Sequence, residues 1–228
     1  YKNMDTNFAV HYQTWKNTDA VTHALTEFRK YFPTNPIHLV SDNGADYTDF
    51  VDKFELSYTF KSSNVFPGGK FGEISHCYEW LSRLNDTCNM FKTEWVVIFE
   101  DDVLTQNNKI TYPKSDSGGV VCHPWYPPLT NELHKHNIRN QNWGYGMCGG
   151  SIFKRDAFLD CYSKINEFPL EELSKLDGRI IGWSDTLINC LLQYFGYTYE
   201  VWEGMDEDGV RDRLSKTACF IHGFKEFY

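Results

Sequence analysis

The stretch from Trp95 to Leu104, WVVIFEDDVL, constrains this chain more than any other. Trp95 to Phe99 is apolar without alternation and rich in residues that favour strands. A strand with apolar side chains on both faces must be covered on both faces, the usual condition of a parallel sheet between helices. The run then ends in three consecutive carboxylates, Glu100, Asp101 and Asp102. Like charges this close repel, so the folded chain must either raise a carboxyl pKa or supply a cation.

The residues before this run support an open α/β sheet. Phe8 to His11 (FAVH) reads as a short buried strand. Thr18 is placed to cap a helix with Val21, Ala24, Leu25, Phe28 and Tyr31 on one face, and Pro33 and Pro36 stop it. Ile37 to Val40 follows as a second strand, with the turn Ser41-Asp42-Asn43-Gly44 after it and a third strand around Leu56 to Phe60. The loop FPGGKFG leads into a helix over about 72–90, with Ile74, Cys77, Leu81, Leu84 and Cys88 facing the core. Strand–helix alternation of this kind predicts a central, mostly parallel, twisted sheet flanked by helices.

The second half is less regular. VVCHPW (120–125) reads as a further strand, and YPPLTNELHKHNIRNQN as a long loop. A Gly-rich segment and a mixed surface stretch run to about Gly182. A clear helix follows, capped by Ser184, with Leu187, Ile188, Leu191, Leu192 and Phe195 as its apolar face and Gly196 closing it.

At 228 residues, with 41% hydrophobic and 17% aromatic side chains, the chain suits one large domain with an ample core. The formal net charge of −9 argues against a nucleic-acid surface, which needs a concentrated basic patch. It leaves room for an anionic substrate, because a bound metal can invert the field inside a cleft. No apolar run approaches the roughly 20 residues that span a bilayer. No signal peptide is visible, and the seven cysteines are scattered without a CxxC pair. These features read as reduced thiols in the cytoplasm, although a lumenal domain excised from a longer enzyme would look similar. The sequon Asn85-Asp86-Thr87 falls inside an expected helix and is taken as chance.

In an open α/β sheet, ligands bind beyond the carboxyl ends of the strands. The acidic trio sits at such an end, and hard oxygen ligands of this kind suit Mg²⁺ or Mn²⁺ shared with phosphate oxygens. His11 to Thr14 and Ser41 to Gly44 border the same crevice. Tyr12 is placed to pack on a base beside Gln13 and Thr14, and Asp42 to accept from a base N–H or a ribose hydroxyl. Gly68-Gly69-Lys70 can bring backbone N–H groups and one cation to a phosphate.

At this point the residues resemble the GT-A nucleotide-sugar-dependent glycosyltransferases, whose marker is an acidic DxD triplet at a strand end, here in the variant Glu100-Asp101-Asp102. The resemblance implies a GT-A-like (Rossmann-like) single domain over 1–228. Residues up to about 104 form the nucleotide-binding half and about 105–228 the acceptor-binding half. It implies that Asp102 holds the metal and that Glu100 and Asp101 face ribose and sugar hydroxyls. WGYGMCGGSIFKRDAF (143–158) is similar to the family's glycine-bearing acceptor and donor loop, which points to Gly149 and Gly150, with Trp143 and Trp183 as rings for sugar faces. Asp185 stands where many members carry an acidic residue at a helix start, and is expected as general base, its ionised form favoured by the helix dipole. His222 stands where many carry a metal-ligating histidine, with Lys225, Arg211 and Arg213 available to a diphosphate.

The implied reaction moves a sugar from a nucleoside-diphosphate sugar to a hydroxyl of a glycan or glycoprotein acceptor, inverting with a single base. Two other readings stay open: a nucleotidyltransferase acting on sugar phosphates, and a lectin-like carbohydrate- or metal-binding module without catalysis. The first ordinarily shows a Gly-rich loop after the first strand, where this chain has HYQTWKNTD.

Overall fold

The apolar run at 95–99 forms the middle of a seven-stranded sheet. The computed structural model describes residues 7–136, 144–145, 151–207 and 217–223. Its strands are β1 (Phe8–Thr14), β2 (Ile37–Asp42), β3 (Ser57–Lys61), β4 (Trp95–Phe99), β5 (Leu104–Thr105), β6 (Ser117–Gly119), β7 (His123–Pro124), β8 (Gly144–Tyr145), β9 (Ser151–Lys154), β10 (Tyr199–Val201), β11 (Met205–Glu207) and β12 (Phe220–His222). The main sheet runs β10-β6-β9-β4-β1-β2-β3. All its pairings are parallel except those of β9, which runs against both β4 and β6. The fold class is therefore the expected mixed α/β architecture.

Helices cover both faces: α1 (Thr18–Tyr31), α2 (Phe50–Phe54), α3 (Ile74–Met90), α4 (Pro127–His134), α5 (Arg155–Ser163), α6 (Leu170–Leu176) and α7 (Ser184–Tyr194). Strand β4 shows why its sequence does not alternate. Val96 and Ile98 pack with Cys77, Leu81 and Leu84 of α3 and Leu187 and Leu191 of α7. Trp95, Val97 and Phe99 pack on the opposite side with Val21, Leu25 and Phe28 of α1. Each such side chain, fully buried, is worth about 1.5–3 kcal/mol of transfer free energy, so the strand has no face to spare for solvent.

Several local details differ from expectation. The cap of α1 is Asn17, whose side chain accepts from Ala20 N, and Thr18 is the first helical residue. Tyr31 is only half-buried. The stretch 120–125 is not one strand: β6 lies just before it in the main sheet, and only His123–Pro124 pair, with Gly144–Tyr145, in a small separate sheet. The expected loop after it contains α4, whose prolines occupy the first turn, where a missing N–H costs nothing. The mixed stretch before Gly182 holds α5 and α6, the latter burying Leu170 and Leu173. Gly196, at φ 90°, closes α7 as expected. Among the described residues, no helix is long and apolar enough to cross a membrane.

The last strand carries the consequence for function. β12 pairs antiparallel with β5, directly after the acidic trio, and parallel with β11. Phe220 anchors it, wholly buried against Phe8, Phe99 and Trp202. His222, two residues on and therefore on the same face, is carried to the end of β4.

Under the sheet lies a polar knot. The Nδ1 atoms of His11 and His38 each lie 2.7 Å from Thr87 Oγ1, and Thr87 Oγ1 donates to the Arg83 carbonyl at 3.3 Å. With that proton committed, both imidazoles act as donors to one hydroxyl. His38 Nε2 meets Thr59 Oγ1 at 3.0 Å. Burial lowers His38 to about 4 and His11 well below the ordinary range, so both are neutral.

A folded-state pKa below the unfolded value means the unfolded chain binds the proton first, so this contribution is present above about pH 6.5 and lost as pH falls towards 4. The unfolding free energy of the wild type, taken relative to His38→Gln, should therefore fall by roughly 3 kcal/mol between pH 7 and pH 4. Groups common to both proteins and remote from His38 cancel in this difference, and a His11→Gln background removes the coupled imidazole beside it. Urea titrations at the two pH values read it directly, and a difference that stays constant would mean His38 titrates normally.

Candidate active site

The carboxyl ends of β1 and β4, the turn after β3 and the start of α7 enclose a cleft of about 320 Å³. Gln13, Thr14, Gly68, Gly69, Ser184 and all three members of the acidic trio line it.

The three carboxylates part company there. Asp101 turns towards β1, where burial and the neighbouring Glu100 charge push it up to about 7, against the hydroxyls of Thr14 and Tyr12, which favour its ionised form. Asp102 is buried and turns towards β12, its Oδ1 3.3 Å from His222 Nε2. Glu100, half-buried, points the same way, with Oε2 3.5 Å from that nitrogen. On the far side of the ring, His222 Nδ1 lies 2.7 Å from Glu207 Oε2. Burial alone would lower the His222 pKa, but the Asp102, Glu100 and Glu207 carboxylates outweigh it and hold the imidazole well above its usual range.

One ligand atom each from Glu100, Asp102 and His222 lies within 4.8 Å of the others, and no other such trio occurs among the described residues. His222 Nε2 is buried without a properly formed hydrogen bond. Two carboxylate oxygens and one imidazole nitrogen converging on a point form a donor set that fits a divalent cation such as Mn²⁺ or Mg²⁺.

Asp185 belongs to the same neighbourhood. The N-cap of α7 is Trp183, without a side-chain cap, so Ser184 is the first helical residue and Asp185 the second. Asp185 is buried, and its Oδ1 accepts from Thr186 N at 2.8 Å. Burial and the Glu100 charge push its carboxyl up to about 7, tempered by the Thr186 N–H. Desolvation thus outweighs the helix dipole, which was expected to favour the ionised form.

The nucleotide-side expectations are only partly met. Tyr12 lies inside β1, wholly buried with its ring against Phe99, so it packs in the core rather than open to a base. Trp15, half-exposed and lining the cleft, is the open ring on that wall. The turn after β2 runs so near it that a Cβ on Gly44 would lie 1.7 Å from the Trp15 carbonyl oxygen. Ala45 N donates to that same oxygen at 2.7 Å.

Asp42 is not open to a ribose either. It ends β2 in a buried position and accepts from Val65 N at 2.9 Å, Phe66 N at 3.1 Å and Arg83 Nη1 at 2.7 Å. Arg83, fully buried on α3, also donates to Glu79 at 2.8 Å and to Gln13 Oε1 at 3.3 Å. The pair holds the 61–66 loop that leads into Gly68 and Gly69, which both adopt positive φ. Sequence reasoning missed Arg83; its signal is Glu79 one helical turn earlier. Lys70 is exposed at the rim, its Nζ 5.6 Å from the centre of the Trp183 ring. Trp125 is core, donating to Gln193. Trp143, Gly149, Gly150, Arg211, Arg213 and Lys225 lie outside the described residues.

No protein-family model matches the chain, and no curated protein matches its sequence. Solved structures do match in fold. A bifunctional glycosyltransferase, WbbM, is 12% identical over 98% of this chain and 46% of its own, with a TM-score of 0.52. The galactosyltransferase LgtC, solved with donor and acceptor sugar analogues, is 9% identical over 93% of this chain and 86% of its own, with a TM-score of 0.51. The glycosyltransferase GlyE of Streptococcus pneumoniae TIGR4 is 7% identical over 94% of this chain and 54% of its own, with a TM-score of 0.52. The chain thus spans about half the length of WbbM and GlyE and has the GT-A fold that its motifs resemble.

Breaking a buried ion pair strands its partner. Arg83→Leu should therefore cost about 3–5 kcal/mol, measured by urea unfolding, and adding Asp42→Asn should recover part of it. A loss below about 1 kcal/mol would show that the loop is held by other contacts.

Proposed function

We propose that this chain transfers a sugar from a nucleoside-diphosphate sugar to a hydroxyl of an acceptor glycan, using a divalent cation held by Asp102, His222 and Glu100. The observation that carries this reading is the convergence of those three side chains, with Asp102 and Glu100 oxygens beside the buried Nε2 of His222, next to a cleft in a GT-A fold. Such a cation, when bound, supplies positive charge against that developing on the diphosphate leaving group.

The chain's own residues then divide the work. Asp102 and Glu100 offer oxygens and His222 a nitrogen, and a mixed set of this kind favours Mn²⁺ over Mg²⁺. Trp15 presents a flat apolar surface to a nucleobase beside Gln13 and Thr14, in the half of the chain up to about residue 104. Lys70 stands at the rim for the phosphates. Asp101, facing Thr14, is placed towards the ribose side.

From the later half, Trp183 offers a ring to the apolar face of an acceptor sugar. Asp185 takes the proton from the attacking hydroxyl, and its burial favours proton uptake. One base acting on the face opposite the leaving group gives inversion at the anomeric carbon. Trp143, Gly149, Gly150 and Lys225 complete the acceptor and phosphate contacts in this reading.

A panel of nucleotide sugars with Mn²⁺, followed by thermal shift and donor hydrolysis, tests the assignment, because a ligand that binds the native state raises its melting point by mass action. Asp102→Ala should abolish Mn²⁺-dependent nucleotide binding in calorimetry; unchanged binding would remove the site. Asp185→Asn should keep donor affinity while lowering turnover by about 10²–10⁴-fold, the usual contribution of a general base. A wild type that binds sugar without ever turning over donor would instead indicate a lectin-like module.

A further inference from the structure

We propose that Glu207 is a positioning residue for the cation site: it fixes the ring orientation and tautomer of His222 so that the Nε2 lone pair faces Asp102 and Glu100. The inference rests on the reading of those three side chains as cation ligands.

Its basis is geometric. β11 and β12 pair in parallel with Glu207 in register with His222, so the two side chains come from adjacent strands at one level of the small sheet. Glu207 Oε2 lies 2.7 Å from His222 Nδ1, while Nε2 on the other edge of the ring faces Asp102 Oδ1 at 3.3 Å and Glu100 Oε2 at 3.5 Å. Glu207 is therefore outside the converging trio. A neutral imidazole ligates through the nitrogen without a proton, and that nitrogen is selected by what the other one bonds. An acceptor-only carboxylate at Nδ1 keeps the proton there. It also raises the donor strength of Nε2 and stops rotation of the ring.

The position matters because, among the described residues, the ring has no other hydrogen bond on that edge. Asp102 and Glu100 bear on the Nε2 edge of His222, and among the described residues Glu207 is the one that bears on Nδ1. Losing it would let the imidazole turn or take the other tautomer, presenting an N–H where a lone pair is required.

Mn²⁺ alone is the probe, with affinity read by calorimetry and by paramagnetic resonance of free Mn²⁺. Glu207→Ala should weaken Mn²⁺ binding by about 10–100-fold, the usual effect of removing such a partner. Glu207→Gln keeps an acceptor for the Nδ1 proton and should bind within a few-fold of wild type. Metal-free melting temperatures of all three, recorded alongside, separate positioning from general loss of structure. Equal Mn²⁺ affinity in Glu207→Ala and wild type would overturn the proposal while leaving the cation site intact. If Glu207→Ala melts early, Glu207→Gln decides: near-native affinity supports the proposal, and a loss as large as that of His222→Ala overturns it. A wild type that binds no Mn²⁺ removes the cation site itself, and this inference with it.

Discussion

Excess negative charge held at the edge of an apolar core is the constraint on which the rest depends. Asp102 and Asp185 are buried beside Glu100, and the low local dielectric makes their mutual repulsion far stronger than in water. Without a cation, the fold has only protons to offer. Asp101 and Asp185 are pushed up to about 7, and His222 is held well above its ordinary range, so protons take up part of the excess charge. In the proposed function, a cation entering among Glu100, Asp102 and His222 displaces the imidazole proton, which couples metal affinity to proton release.

The topology makes this concentration of charge feasible. β4 is buried on both faces and ends abruptly, so its carboxyl end opens directly into the cleft. The chain then leaves, builds the α4–α7 layer, and returns as β12 to lie beside β5. Phe220, clasped by Phe8, Phe99 and Trp202, fixes how far β12 penetrates. Glu207 comes in on the strand next to it. Residues more than a hundred positions apart thus meet through one aromatic anchor and one short antiparallel pairing.

Much of this was legible in the sequence because it is periodic or local. The double-sided burial of 95–99, the faces of α1, α3 and α7, and the acidic trio all declare themselves by spacing. Asp102, Asp185 and His222 were singled out by the resemblance to the GT-A glycosyltransferases, and the structure brings them to one neighbourhood. Misses arose where a non-local partner decided the outcome. Ending the first strand at His11 rather than Thr14 put Tyr12 on the crevice wall and overlooked Trp15. Asp42 reads as a turn residue until Arg83, about forty positions on, is seen to claim it. α4 was hidden by two prolines whose missing N–H groups fall in its first turn. The dipole argument for Asp185 failed because sequence does not report how deeply a helix start is buried.

Two ionic clusters lie beside the cleft, and they are satisfied to different degrees. Around Arg83 both Nη atoms are taken by Asp42, Glu79, Ser63 and Gln13, with Nε left without a hydrogen-bond partner, and Asp42 is further satisfied by two backbone N–H groups. That cluster builds a wall. Around His222, one imidazole faces Glu100, Asp102 and Glu207, with Asp185 close by. A chain of net charge −9 could not by itself draw an anionic diphosphate into such a corner. A divalent cation reverses the local sign, because its charge acts at the shortest range and in the lowest dielectric. In the proposed function, the same carboxylates that repel a bare diphosphate become, through the cation, the reason it binds.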